Sequence, residues 1–302
     1  MTGPGLYRDM PAAEYHADPA DEPSLSSSIA KLLIQKTPRH ARAAHPRLNP
    51  EATRVGTKAM DFGSAAHEIL LGRGSGLEIC PFDNYTTQKA RDWRDDVTLR
   101  GKIPLKQPEL IAAIHVADAV RAALAEIPGA ERAVMGGMGI AETVVIWRDN
   151  GDGPLCRAMP DWLDLDDGAI YDLKTTGTGL DDRSLNNLIA AADTAFDMRA
   201  AFYLRGLEQL EEVPPGRFVY RWIFVESGAP FEARVFEMDG ITRDFGDRKA
   251  RYAINKWHKC LTENRWPGYP RKIERPKYPA WAETAWLDRE LELMVSTPME
   301  AI

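Results

Sequence analysis

Asp161, Asp172 and Lys174 are the residues whose types and spacing best suit chemistry in this 302-residue chain. They lie in Cys156-Arg-Ala-Met-Pro-Asp161-Trp-Leu-Asp-Leu-Asp-Asp-Gly168-Ala-Ile-Tyr-Asp172-Leu-Lys174. The stretch reads as a β-hairpin, because two runs of strand-like composition flank Asp166-Asp167-Gly168, a strong turn signal. A two-residue Asp166-Asp167 loop sets Asp161 opposite Asp172, whereas an Asp167-Gly168 loop sets Asp161 opposite Lys174. In either register side chains alternate with period 2, so both carboxylates and the ammonium project from one face. Like charges this close repel unless something neutralises them, and a divalent cation does so. Carboxylate oxygens suit Mg²⁺ or Mn²⁺, and a lysine beside them can orient or activate a water. The plainer reading is a surface hairpin with a solvated charged face.

Other elements must position these groups. Residues 1–23 carry Pro4, Pro11, Pro19 and Pro23 and read as an extended, irregular lead-in. A helix starts in Ser24-Leu-Ser-Ser-Ser with one serine as N-cap, and Thr37-Pro38 opens a second, short one. Residues 61–71, 86–99 and 106–127 read as helices, the last with apolar residues from Leu110 to Leu124 at helical spacing. Ile140 to Trp147 reads as a strand, and Glu142 on it is either a further acidic group near a metal or a solvated strand residue. Helices at 181–192 and 194–207, strands at 217–225 and 231–238, and a long helix at 241–263 follow. On that long helix Phe245, Ala250, Ala253, Ile254, Trp257 and Leu261 are expected to face inward. Trp266-Pro-Gly-Tyr-Pro270 stops it, and a final acidic helix falls near 281–295. The expected organisation is a lead-in (1–23), one α/β (α+β) domain (24–280) and an acidic C-terminal helix and tail (281–302).

Composition is that of a soluble globular protein, 44% hydrophobic and 27% charged, with no apolar run long enough to span a membrane. The N-terminus lacks the basic and apolar segments of a secretory signal, and three scattered cysteines fit a reducing cytoplasm. The net charge of −7 is unevenly spread. Residues 243–277 hold eleven Lys/Arg against four Asp/Glu, and residues 31–58 hold seven against one. Such segregation can leave a basic lane for a polyanion on an acidic body, although most charge runs are solvated helix faces.

Pro160-Asp161, ten residues, then Asp172-Leu173-Lys174 resembles the PD-(D/E)XK nuclease motif. Gly63-Ser-Ala-Ala-His67 upstream resembles the Gly-x-x-x-His motif of the RecB-like branch, in which the histidine is a metal ligand. Arg199-Ala-Ala-Phe-Tyr203 resembles the Gln-x-x-x-Tyr motif that follows the hairpin there, with arginine in place of glutamine. Arginine can hold a phosphate bidentately, so the resemblance leaves a DNA contact open to Arg199 and Tyr203, the plainer reading being a core helix end with an exposed Arg and a half-buried Tyr. Tyr15-His16, the serine-rich helix start, Thr37-Pro38-Arg39-His40 and Trp257-x-x-Cys260-Leu through Trp266-Pro-Gly-Tyr269 extend the similarity. Together these resemble the exodeoxyribonuclease VIII (RecE-type) family over about residues 15–270.

The resemblance implies a restriction-endonuclease-like core, with a mixed central sheet flanked by helices. It implies a Mg²⁺-dependent exonuclease that digests linear double-stranded DNA from its ends, 5′ to 3′. It also implies a ring-like homo-oligomer working beside a single-strand annealing protein in phage-type recombination. Asp161, Asp172, the Leu173 carbonyl and His67 would hold Mg²⁺ or Mn²⁺, with Lys174 at the attacking water. Arg248, Lys249 and Arg251 are candidate contacts to the DNA backbone. Another class is a DNA-binding or assembly module that has lost catalysis, favoured by Arg199 and the net acidity but opposed by the intact Asp161, Asp172 and Lys174. An iron–sulfur nuclease is excluded, since three scattered cysteines cannot supply four thiolates.

Overall fold

The computed structural model describes residues 2–52, 58–131, 133–134, 139–191, 193–211 and 213–296. In chain order the elements begin with β1 (Gly5–Tyr7), α1 (Ala12–Ala17), β2 (Leu25–Ser26), α2 (Ser27–Gln35), α3 (Pro38–Ala44) and α4 (Lys58–Leu71). Next come β3 (Leu77–Ile79), α5 (Gln88–Leu99), β4 (Ile103–Leu105), α6 (Gln107–Ala125), β5 (Ile140–Ala141) and β6 (Val144–Arg148). β7 (Leu155–Ala158), β8 (Trp162–Asp164), β9 (Ala169–Thr176), α7 (Asp182–Ala190) and α8 (Phe196–Leu210) follow. The chain then forms β10 (Val219–Glu226), β11 (Ala233–Glu237), α9 (Gly240–Thr262) and α10 (Ala280–Ser296).

A five-stranded sheet of order β11-β10-β9-β8-β5 carries the hairpin at its centre. β9 and β10 pair in parallel and the other neighbours are antiparallel, so the sheet is mixed. The parallel pair requires a crossover, which α7 and α8 supply. Because strand side chains alternate, β9 and β10 feed two different cores. Ile170, Tyr220, Trp222 and Phe224 pack with residues of α2, α8 and α9. Tyr171, Leu173, Ile223 and Val225 pack with residues of α4 and α6 on the other face. The sheet is thus covered on both sides, as the near-continuous apolar run in β10 requires. A second sheet, β1-β6-β7-β2, abuts the α2/α8 core through Val145, Trp147, Cys156 and Ala158.

Two runs expected as single strands are broken. Ile140–Trp147 divides into β5 and β6, and the stretch from Cys156 into Asp164 divides into β7 and β8. In each case the two halves belong to different sheets. Pro160 cannot donate to a ladder, which ends pairing on one strand. Glu142, at φ 49°, turns the other through the left-handed region. Glu142 and Asp161 therefore sit side by side where adjacent strands change sheet, joined by the Glu142 amide donating to the Asp161 carbonyl at 3.0 Å.

The lead-in is folded rather than irregular. β1 pairs antiparallel with β6, Thr2 bridges to Ala20, and Arg157 donates to the Tyr15 and Ser24 carbonyls. Asp18 accepts hydrogen bonds from Ser24 and lies 3.2 Å from His45 and 3.0 Å from Arg157, all buried. Prolines made this segment look extended, and long-range partners gave it its structure. On α9, Phe245 is 54% exposed instead of inward. Its neighbour Gly246 makes the close approach to α8, where a Cβ would stand 2.3 Å from the Asp197 carbonyl oxygen.

The chain forms two compact units, Met1–Gly268 and Tyr269–Ile302. This boundary falls after Trp266-Pro267-Gly268, ahead of the one expected at 280/281. The second unit is built on α10, whose Trp281, Trp286, Leu287 and Leu291 are exposed. Among the described residues, no helix is long and apolar enough to cross a membrane.

Candidate active site

The hairpin register is the one that sets Asp161 against Asp172: Trp162 pairs with Tyr171 and Asp164 with Ala169. Its turn is tightened by the Asp164 carboxylate, which accepts from the Asp166 and Asp167 amides at 3.0 Å each. Asp161 is fixed by the Leu173 amide, which donates to its Oδ2 at 2.8 Å. Asp172 and Lys174 follow Ile170 on the face of β9 that looks to α8, and the Lys174 ammonium contacts Asp172 Oδ2. Lys174 Nζ also donates to the Leu173 carbonyl at 2.9 Å and lies 3.9 Å from Asp161 Oδ2.

His67 reaches the same place from α4. Its Nε2 is 3.2 Å from Asp161 Oδ1 and its Nδ1 is 3.4 Å from Glu142 Oε1. The Gly-x-x-x-His spacing has a packing reason. Gly63 lies one turn before His67, and a Cβ there would come 3.3 Å from Thr175 Oγ1 on β9. Glycine lets α4 settle close to the strand, which sets the reach of His67. Of the two sequence readings of Glu142, the geometry supports membership of the acidic constellation.

Electrostatics follow from this crowding. Burial disfavours charge on His67, but Asp161 and then Glu142 outweigh it and raise its pKa above the ordinary value. Burial also works against ionised Asp161, yet His67, Lys174 and the Leu173 amide hold it well below the usual carboxylate range. Asp172 is raised, by burial first and by repulsion from Asp161, with Lys174 and Arg199 offsetting only part. Burial likewise raises Glu142, and Asp161 adds to it against the pull of His67.

Arg199 and Tyr203 stand one turn apart on α8 and border this site. The Tyr203 hydroxyl hydrogen-bonds Ser27 at the start of α2. Burial opposes the Arg199 charge, and Tyr203 together with Asp172 and Asp161 more than restores it. Arg199 thus sits in the field of the carboxylates without a direct ion pair to any described residue. The other expected DNA contacts are differently placed. Arg248 is paired with Asp244 at 2.7 Å, Arg251 with Asp247 at 2.9 Å, and Lys249 with Asp197 on α8. A phosphate would have to displace a carboxylate at each.

Among the described residues, no three His, Cys, Asp or Glu side chains are already gathered as a metal-ligand set. The groups nonetheless fit a divalent ion. Asp172 Oδ2 is buried and meets a cation, the Lys174 ammonium, which shows that the position favours positive charge. Two carboxylates, a peptide carbonyl and an imidazole form an oxygen-rich donor set suited to Mg²⁺ or Mn²⁺. Lys174 Nζ lies against three of those oxygens, where positive charge is already concentrated by the fold.

A mixed sheet carrying Pro-Asp and Asp-Leu-Lys on an antiparallel hairpin, flanked by helices, defines the PD-(D/E)XK class. A model of the PDDEXK-like domain of unknown function (DUF3799) matches residues 26–278, and the chain belongs to that family. A crystal structure from Eubacterium rectale described as “Putative exonuclease” aligns over 92% of this chain and 98% of that one. Its TM-score is 0.52 at 12% identity, which shows a shared fold. The structure of SSO0001 aligns over 79% of this chain and 96% of that one, at 9% identity and a TM-score of only 0.28. No curated protein matches the sequence. These similarities reach the PDDEXK-like class and stop short of the RecE-type family.

Proposed function

We propose that the protein is a metal-dependent nuclease that hydrolyses phosphodiester bonds, acting as an exonuclease on linear duplex DNA. The observation that carries this reading is the convergence of Asp161, Asp172, Lys174 and His67, from the turn before β8, from β9 and from α4, onto one half-buried patch. An inactive scaffold has no chemical need to keep two carboxylates packed together against a lysine. Asp161, Asp172, the Leu173 carbonyl and His67 would hold Mg²⁺ or Mn²⁺, which supplies Lewis-acid stabilisation of charge on the phosphate. The remaining steps belong to side chains. Arg199, attracted by the carboxylates but unpaired, binds the phosphate bidentately and orients it. Lys174 positions the attacking water and helps to deprotonate it. His67 holds Asp161 ionised through their contact. Phosphate contacts position a duplex without reading its sequence, so no sequence preference is expected.

The exonuclease action, the 5′ to 3′ direction, the ring-like oligomer and the annealing partner rest on the RecE-type resemblance. The test is digestion of end-labelled linear duplex with Mg²⁺, with covalently closed circles beside it. Release of label from linear DNA alone supports an end-dependent exonuclease, and the end released first gives the direction. Cutting of circles would replace it with an endonuclease. The second reading, a DNA-binding module without catalysis, takes its support from arginine at position 199. It predicts DNA binding with no cleavage in Mg²⁺ or Mn²⁺.

A further inference from the structure

Arg39 and Arg42 stand on one face of α3, three residues apart. Unlike Arg248 and Arg251, neither has a carboxylate partner among the described residues. They line a cavity of about 490 Å³ together with Leu48, Asn49, Asn264 and Trp266. The two basic tracts of the sequence meet here: the Arg39 amide donates to the Pro267 carbonyl at 3.2 Å. The Arg39 guanidinium lies over Gly268, where a Cβ would approach its Cζ to 3.2 Å. Half-buried Trp266 packs at a steep angle on the fully buried Trp257, ring centroids 5.2 Å apart.

We propose that this cavity is a nucleotide subsite for a nucleic-acid strand, outside the hydrolytic centre, with Arg39 and Arg42 taking phosphates and Trp266 offering a base-stacking face. The proposal rests on the nuclease reading and extends it. An aromatic platform beside unpaired guanidinium groups is what sequence-tolerant strand binding needs. The volume suits a ligand of nucleotide size. Through α2 the subsite is joined in the chain to a helix start beside the catalytic residues. Ser27 at the first turn of α2 touches Tyr203, while the Leu33 carbonyl near its last turn accepts from Lys256 at 2.9 Å, and α3 follows directly. The nine residues of α2 span roughly 13 Å. Lys31 lies along this path, close enough to Arg199 that the second cation, after burial, lowers its pKa.

The test is fluorescence anisotropy of a labelled single strand of about 12 nucleotides in EDTA, across a salt series, within single-strand site sizes. The double variant Arg39→Gln/Arg42→Gln changes exposed residues, and its melting temperature checks the fold. It should bind at least about tenfold more weakly, with a log–log salt slope smaller by about 1.4. Trp266→Leu should weaken binding with the slope unchanged. Arg94→Gln, at a partly exposed position of α5, is the control of charge removal elsewhere and should match the wild type. A double variant with unaltered affinity and slope overturns the subsite. So does selective binding of poly-glutamate at Arg39 and Arg42, which would make the cavity a site for an acidic protein segment. A wild type that neither binds nor cleaves nucleic acid would instead remove the nuclease reading itself.

Discussion

Asp18→Asn is expected to unfold the first unit far more readily than its position in a proline-rich lead-in suggests. The side chains of Asp18, His45 and Arg157 are 0%, 0% and 3% exposed, so the Asp18 and Arg157 charges face one another with almost no water. Removing the carboxylate charge leaves the Arg157 guanidinium buried without its counter-ion, a change that costs about 3–5 kcal/mol. The amide introduced by the substitution still offers an oxygen to Ser24, so the expected loss is near the lower end, about 3 kcal/mol. Burial alone would raise the Asp18 pKa, but His45, Arg157 and Ser24 bring it below the ordinary aspartate value, and Arg47 stands 4.0 Å away. A depressed carboxylate contributes stability that is complete above the ordinary, unfolded-state value and is lost as pH falls through the folded one. Urea unfolding should therefore show a constant gap between wild type and variant from neutrality down to mild acid, narrowing only below that point. The double variant Asp18→Asn/Arg157→Met should recover part of the loss, because no charge is then stranded. A gap under about 1 kcal/mol at neutral pH, the worth of an exposed pair, would refute the reasoning. So would a gap that widens on acidification.

Three further expectations follow from close contacts. Gly246→Ala places a Cβ 2.3 Å from the Asp197 carbonyl oxygen and should cost about 1–3 kcal/mol in thermal unfolding as α8 and α9 part; an unchanged melting temperature would contradict that contact. Gly63→Val should push α4 off Thr175 and carry His67 away from Asp161, lowering the cleavage rate more than stability. Parallel measurement of both quantities checks this. Arg199→Ala should weaken DNA binding and reduce the salt slope by about one contact, read from affinity against ionic strength.

The central hairpin was legible because Asp172 and Lys174 are two apart on a strand and a turn-forming Asp166-Asp167-Gly168 precedes it. Its turn chemistry allowed two registers, and pairing of Trp162 with Tyr171 selects one of them. The strand breaks at Glu142 and Pro160 were not legible, since both halves of each run have strand composition. Which sheet a half joins is decided by distant partners such as β1 and β2. The Asp18–Arg157 network was hidden for the same reason, its members being far apart in sequence. The pairing of Arg248 and Arg251 was available, because Asp244 and Asp247 precede them by four residues on the same helix. Counting net charge over the tract concealed those pairs. Phe245 was expected inward on helical spacing, but the contact with α8 needed the missing side chain of Gly246.

The most direct measurement of the nuclease claim is release of acid-soluble nucleotides from linear duplex DNA in Mg²⁺, comparing wild type with Lys174→Ala. The Lys174 side chain is partly exposed and its ammonium is held only by neighbours within the site, so the variant should fold and bind DNA. The expected result is release by the wild type and a loss of about two orders of magnitude or more in the variant, the worth of a positioned catalytic group. Equal release by both proteins, or none from a folded wild type that binds DNA, would contradict it.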